Sequence, residues 1–404
     1  MNKPRLLVLA STYPRWRGDH EPSFVHELSR RLATDFDVHT LCPHAPGALL
    51  EENLDGVSVH RFRYAPSCLE TLVQHGGIIT NLKHHRWKCL LVPLFFLGLA
   101  WHTWRLAHRL RPACVHAQWL LPQGLVVALL QQCDAAIPPF LATSHGADLF
   151  ALREPPFPAL KRFVLSRAAA ISVVSSPMKE EAVCLGANPE SIRVIPMGVD
   201  FESVFVPGEA ASRQAGEILF VGRLVEKKGL RHLIDALPLV LAQMPHAHLS
   251  IAGFGPEEPL LRTLASKLGV AGRVDFLGAV PQTSLPRLYQ SAALFVAPFI
   301  RTASGDQEGL PVALMEAIAC NCPVLAGELS VLSDMFLAEE SDFLVQSRDI
   351  PELSRKIVAL LSDTPAAVSR TSKIRSRLIV RLGWDGIAAE YSKCLRSVAL
   401  GDFQ

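Results

Sequence analysis

Short apolar runs of strand length recur along this chain, separated by segments of helical periodicity, and the series occurs twice. The first comprises Leu6–Ala10, Val38–Leu41, Val57–Phe62, Ala113–His116, Phe140–Thr143 and Ala170–Val174, with helix-period stretches such as Phe24–Leu32 and Lys161–Arg167 between them. Parallel strands need a crossover that covers the sheet face, so this alternation predicts βαβ units and a mostly parallel sheet. A polar stretch with Pro and Gly follows Asp200 and runs to Gly216, as a linker would. The second series then begins, with strands expected at Ile218–Val221, His248–Ala252, Arg273–Leu277, Leu294–Ala297, Pro323–Ala326 and Phe343–Val345. Helices are expected at Leu230–Gln243, Pro256–Leu268 and Pro311–Ala319. With 404 residues the chain exceeds what one core usually serves, so two α/β domains are expected.

Charge narrows the function classes. A net charge of +2 argues against a general nucleic-acid binder, but the sum conceals an uneven distribution. No Asp or Glu occurs between Glu70 and Asp134, and Lys83, Arg86, Lys88, Arg105, Arg109 and Arg111 surround the apolar stretch Cys89 to Trp101. That stretch is short of the roughly 20 apolar residues of a bilayer span, and Pro93 is expected to interrupt it. Two readings stand: a surface lying on anionic headgroups, or a core helix with solvated basic flanks. The nine cysteines show no metal-ligand or redox spacing and read as reduced thiols of a cytosolic protein. Leu6–Ala10 is shorter than the apolar core of an export signal and reads as a first strand, so the expected location is cytoplasmic, peripheral on the membrane face.

Two constellations carry chemistry. In Phe220-Val-Gly-Arg-Leu-Val-Glu-Lys-Lys-Gly229, Gly222 and Gly229 permit tight backbone while Arg223 and Lys228 bring cations to the end of a parallel strand, where ligands of α/β sheets bind. Such cations could stabilise a diphosphate leaving group, or could simply be solvated loop charges. In Gly305-Asp-Gln-Glu-Gly-Leu-Pro-Val-Ala-Leu-Met-Glu, Pro311 suits the first turn of a helix, which places Glu308 and the Gly309 and Leu310 amides at its N-terminus. Glu316 lies further along among Leu314, Met315, Ala317 and Ile318, company in which a carboxylate needs a partner. The plainer alternative is that Glu308 favours the helix dipole and Glu316 is solvated.

The order Gly-Arg-Leu-x3-Lys-Gly, Gly253-Phe-Gly255-Pro, Phe276-Leu-Gly278 and Glu308-x7-Glu316 resembles the donor domain of the retaining glycosyltransferases of family 4. The likeness continues upstream through Thr143-Ser-His-Gly-Ala-Asp148 and Ile195-Pro-Met-Gly-Val-Asp200, and with His116-Ala-Gln-Trp-Leu-Leu-Pro122 it is nearest to transferases of exopolysaccharide and colanic-acid type. The resemblance implies a GT-B fold, two Rossmann-like domains facing each other across a cleft. Residues 1–198 plus a crossover helix in 384–404 would form the acceptor side, and 199–383 the nucleotide-sugar domain.

It further assigns Arg223 and Lys228 to the donor diphosphate, Glu308 to the transferred sugar and Glu316 to the ribose, with Gly222, Gly253, Gly255, Gly309 and Leu310 around the donor. His145 would reach the donor sugar, while Gly18, Asp19, Trp119 and Asp148 fall on the acceptor side. Asp148 would orient His145, meet the acceptor or cap a helix. Two places depart from the family: the first loop reads Tyr13-Pro-Arg-Trp-Arg-Gly-Asp-His-Glu21-Pro22 where relatives carry a Gly-rich turn, and Gln118 stands where they often have a second His.

The function these features imply is transfer of a hexose, with retention and without metal or other cofactor, from a nucleotide-sugar to an acceptor hydroxyl. The acceptor would be a glycolipid or lipid-linked saccharide of bacterial polysaccharide biosynthesis, met beside an anionic membrane surface. The rivals are a nucleotide-sugar epimerase of the same architecture, which needs no acceptor surface, and a non-catalytic sugar-nucleotide-binding protein.

Overall fold

The computed structural model describes residues 3–19, 23–73, 77–209 and 213–402. The chain separates into two compact units, Met1–Gly198 with Trp384–Gln404, and Val199–Gly383. Each is built on a sheet whose central strands are largely buried, as expected of parallel sheets covered on both faces.

The first unit holds eight strands: β1 (Arg5–Leu9), β2 (Asp37–Pro43), β3 (Glu51–Leu54), β4 (Val57–Phe62), β5 (Cys114–Gln118), β6 (Phe140–Ser144), β7 (Ala170–Val173) and β8 (Ile192–Val194). Their order is β3-β4-β2-β1-β5-β6-β7-β8, parallel throughout except for β3, which runs antiparallel to β4. Strands β3 and β8 are additions to the sequence-based expectation. The order reverses direction at β1 and β5, so their carboxyl ends form a topological switch point. The helix Trp384–Leu400 belongs to this unit and buries Trp384, Ile387, Tyr391, Leu395 and Val398. It packs on the Phe24–Leu32 helix and on β5 and β6, and Tyr391 Oη donates to the Ile195 carbonyl at 3.2 Å. Each such buried side chain contributes about 1.5–3 kcal/mol, which fixes this late segment to an early sheet.

The expectation for the basic apolar stretch needs correction. Pro93 does not interrupt it: the helix Leu91–Leu110 is 20 residues long with Pro93 in its first turn, where a missing N–H costs nothing. Lys88, counted among the flanking cations, is buried and donates to the Thr71 carbonyl at 3.1 Å and to Asn81 Oδ1. The side chain of Lys83 lies outside the described residues, as do Glu21 and Pro22.

The second unit holds β9 (Gln214–Val221), β10 (His248–Ala252), β11 (Val274–Gly278), β12 (Ala292–Ala297), β13 (Val324–Gly327) and β14 (Leu344–Val345). They pair in parallel in the order β11-β10-β9-β12-β13-β14. Helices Leu230–Gln243, Glu258–Lys267 and Ile350–Ser362 pack together, as do Leu285–Ser291, Val312–Ala319 and Thr364–Leu382. Right-handed crossovers leaving β9 one way and β12 the other require these two groups to cover opposite faces. The switch point of this sheet therefore lies at the carboxyl ends of β9 and β12.

Candidate functional site

The loop that leaves β9 carries Gly222, Arg223, Lys227, Lys228 and Gly229, and the loop that leaves β12 carries Asp306, Gln307, Glu308 and Gly309. Backbone contact forces the two loops together. Gly229 has φ +67°, and a Cβ on it would lie 1.8 Å from the Pro298 carbonyl oxygen, so only glycine permits the approach. The Ile300 N–H also donates to the Lys227 carbonyl at 3.0 Å. On the other side Gly253, at φ +149°, brings the loop after β10 against Gly222, where a Cβ would be 1.9 Å from the Gly222 oxygen. Gly255 lies beneath Leu224 in the same stack.

These constraints place two lysines against one carboxylate. Lys228 Nζ is 3.1 Å from Glu308 Oε2, and Lys227 Nζ is 3.4 Å from Oε1. Lys227 also meets Asp306 Oδ1 at 3.2 Å and the Gln307 carbonyl at 3.3 Å, and is buried. Burial opposes the Glu308 charge, but Lys227 and Lys228 outweigh it and hold the carboxyl down to about 2, with a smaller contribution from Arg223. For Lys228 burial prevails over Glu308 and lowers the ammonium below its ordinary value. Lys227 is desolvated too, yet Glu308 and Asp306 raise it. Lys227 was not singled out from the sequence, where only its neighbour Lys228 was assigned to the donor diphosphate. Arg223 is exposed at the rim.

Pro311 caps rather than begins the next helix, which runs Val312–Ala319; Gly309 and Leu310 precede it. Glu316, on that helix, is buried and has the partners its apolar surroundings require. Tyr289 Oη donates to Oε2 at 3.0 Å and Gln282 Nε2 donates to Oε1 at 2.7 Å. Burial still dominates and pushes its carboxyl up to about 7. Each oxygen keeps a second lone pair with which to accept a ligand hydroxyl.

A second cluster lies in the first unit, at the carboxyl ends of β5 and β6. His145 Nε2 is 2.7 Å from Gln118 Oε1, an oxygen that only accepts, so Nε2 carries the proton. Gln118 Nε2 in turn lies 3.2 Å from His116 Nε2, which also meets the Thr143 hydroxyl at 2.7 Å. Burial depresses both imidazoles to about 3, so they are neutral at physiological pH. Trp119 has φ +85°, a strained value for a non-glycine residue, and its ring sits 5.0 Å from that of His145; Phe24 lies at the same distance from His145.

Two residues expected on the acceptor side face inward. Asp148 does not touch the His145 imidazole: it accepts from the Leu120 amide at 2.7 Å, Ser144 Oγ at 2.8 Å and the His145 amide at 3.2 Å, which makes it a brace of the loop. Asp19 is buried with its carboxylate on the Arg15 amide and Nε, at 2.9 and 2.8 Å. Gly18 makes the turn at φ +78° and is exposed.

Comparison with known proteins agrees with the two sheets and their motifs. The family model Glycosyltransferase Family 4 matches residues 23–203, and Glycosyl transferases group 1 matches residues 208–377. Between them they span most of the chain, which belongs to the family-4 glycosyltransferases of GT-B type. It is 29% identical over 266 residues to the GDP-mannose-dependent alpha-(1-6)-phosphatidylinositol monomannoside mannosyltransferase of Mycobacterium tuberculosis, covering 63% of this chain and 69% of that one. It is 32% identical over 187 residues to the amylovoran biosynthesis glycosyltransferase AmsK of Erwinia amylovora, covering 46% of each. Among solved structures, sucrose-phosphate synthase from Thermosynechococcus elongatus shares the fold with a TM-score of 0.78 and 20% identity, over 98% of this chain and 99% of that one.

Proposed function

We propose that this protein transfers a hexose from a nucleoside-diphosphate sugar, held at the carboxyl ends of β9 and β12, to a hydroxyl of a lipid-linked or glycolipid saccharide, with retention and without a metal. The observation that carries the reading is the Lys227–Glu308–Lys228 cluster at the switch point, near Arg223 and with Glu308 in the loop that leads into the Val312–Ala319 helix. A donor diphosphate would compete with Glu308 for Lys228. Lys227, fastened to Asp306 and Gln307, would keep Glu308 ionised after Lys228 turned to phosphate, leaving its carboxylate to accept from a sugar hydroxyl.

As the bond from the anomeric carbon to the phosphate oxygen breaks, negative charge accumulates on the leaving diphosphate, and Arg223 and Lys228 stabilise it there. The proton of the attacking hydroxyl passes to that same diphosphate in a front-face displacement. Glu316 would accept from the ribose, and His145 keeps the donor-sugar role that the family resemblance gives it. The named activity of the mycobacterial relative makes GDP-mannose the first donor to try and glycolipids the first acceptors.

The test is transfer of labelled sugar from GDP-, UDP- and ADP-hexoses to a bacterial lipid extract, followed by determination of the product's anomeric configuration. The reading expects one donor to be used, an axial donor to give an axial product, and Glu308→Ala to cut turnover by about 10²-fold or more. An inverted product would overturn retention. Epimerised nucleotide-sugar released without any transfer would point to the epimerase.

A further inference from the structure

The Leu91–Leu110 helix is apolar on two opposite sides. One side, with Leu91, Phe95, Leu99, Leu106 and Leu110, is buried on the sheet of the first unit, where Phe95 stacks edge-on to Phe62 and Tyr64 at 5.3 and 5.2 Å. The other side presents Leu94, Leu97 and Trp101, and the short turn before it, Arg86–Leu90, adds Trp87 and Leu90. Steps of three and four residues align these five in one stripe, and each is between 48% and 76% exposed. Single exposed apolar side chains are ordinary, but an uninterrupted row of large ones marks an interaction surface.

Charge identifies the occupant. Arg86 is exposed at one end of the stripe, Arg105 continues it one turn beyond Trp101, and Arg109 and Arg111 are exposed past that. No carboxylate occurs in residues 71–133. Among the described residues, the acids that meet the helix lie toward its far end: Glu51 lies 3.8 Å from Arg109, and Asp134 accepts from Trp104 Nε1 at 2.8 Å beside His108. Tryptophans at both ends of an apolar row with cations around it match the interface of an anionic bilayer, where rings sit at headgroup depth and guanidinium groups meet lipid phosphate.

We infer that this face docks the protein on anionic lipid, with Trp87, Leu90, Leu94, Leu97 and Trp101 entering the headgroup region and Arg86 and Arg105 on the phosphates. The helix lies along the surface and does not cross it. By length and composition Arg86–Leu110 could span a bilayer, but its inner side is the cover of β1, β2 and β4 and could not leave without exposing that core. The inference goes beyond sugar transfer and does not rest on it, since docking is read without donor or acceptor.

The experiment is cosedimentation of the full chain with phosphatidylcholine vesicles, with or without phosphatidylglycerol, at two salt concentrations. Binding is expected only with the anionic lipid, weakening with salt and accompanied by a blue shift of tryptophan emission. The doubles Leu94→Gln/Leu97→Gln and Arg86→Gln/Arg105→Gln should each lower vesicle affinity by about tenfold or more. Neither should change the melting temperature, because all four side chains face solvent. Equal recovery in the supernatant with both vesicle types would overturn the inference. So would a dimer in sedimentation velocity that Leu94→Gln/Leu97→Gln dissolves, since the stripe would then belong to a second copy.

Discussion

Lys227 and Lys228 grip the two oxygens of one carboxylate, Glu308, at 3.4 and 3.1 Å, yet they are held differently. Lys228 has Glu308 as its carboxylate and a face toward the Phe299 ring at 5.1 Å, whereas Lys227 is also tied to Asp306 and the Gln307 carbonyl. Lys228 is thus the lysine able to exchange partners, and Lys227 the one that anchors the loop.

Replacing them should therefore give different defects. Lys227→Met leaves Asp306 and Glu308 short of a buried counter-charge and should cost on the order of 3 kcal/mol of stability. Lys228→Met should cost less and mainly reduce turnover. Thermal unfolding of the two variants measures this, and equal melting temperatures would refute the division of labour.

Glu316 makes stability and donor affinity depend on pH in opposite directions. Its carboxyl is raised by burial from an ordinary 4.5 to about 7, so the folded protein binds a proton there that the unfolded chain has released. The stability this adds is complete below pH 4.5 and is lost as pH rises through 7. A ribose hydroxyl bonds better to the ionised form, so nucleotide affinity should rise between pH 6 and 8. Glu316→Gln should flatten both trends in calorimetric titrations and melting curves. A pH slope in affinity that survives the substitution would assign it elsewhere.

His145 should contribute no inflection to the pH–rate profile between pH 5 and 8, because burial holds its imidazole neutral down to about 3. Its tautomer depends on Gln118 Oε1. Gln118→Leu should lower kcat by about tenfold or more while the donor KM changes little, with partial recovery in Gln118→Asn. An inflection in that range that disappears in His145→Gln would contradict this account of the imidazole.

Activity should survive EDTA, since Arg223 and Lys228 supply positive charge where the diphosphate departs. Loss of turnover on chelation, restored by Mg²⁺ or Mn²⁺, would oppose that mechanism.

Strands such as Leu6–Leu9 and Phe140–Thr143 were legible because these stretches are short, almost wholly apolar runs buried in the sheet interior. Strand β3 was not: Glu51-Glu52-Asn53 is polar, as suits an edge, and only pairing with β4 makes it a strand. Pro93 was misread because its effect depends on its place in a helix whose start the sequence does not mark. Lys88 counted as a flanking cation because nothing in the spacing of the segment shows that the carbonyl of Thr71 and the amide oxygen of Asn81 turn back to accept from it. In the site, spacing and order exposed Arg223, Lys228, Glu308 and Glu316 as candidates. The supports of Glu316, Tyr289 and Gln282, come from a separate helix and loop, and Gln118 meets His145 only through the adjacency of β5 and β6. Contacts of this kind have no periodicity to betray them.

The central claim is that the carboxyl ends of β9 and β12 hold a nucleoside diphosphate through Lys228. Isothermal titration of GDP, UDP and ADP, and of the corresponding nucleosides, into the wild-type protein and Lys228→Ala tests it most directly. The account predicts that at least one diphosphate binds the wild type, that its affinity falls by about tenfold or more in Lys228→Ala, and that weak binding of the nucleoside is unchanged. Diphosphate affinity that is the same in both proteins would contradict it.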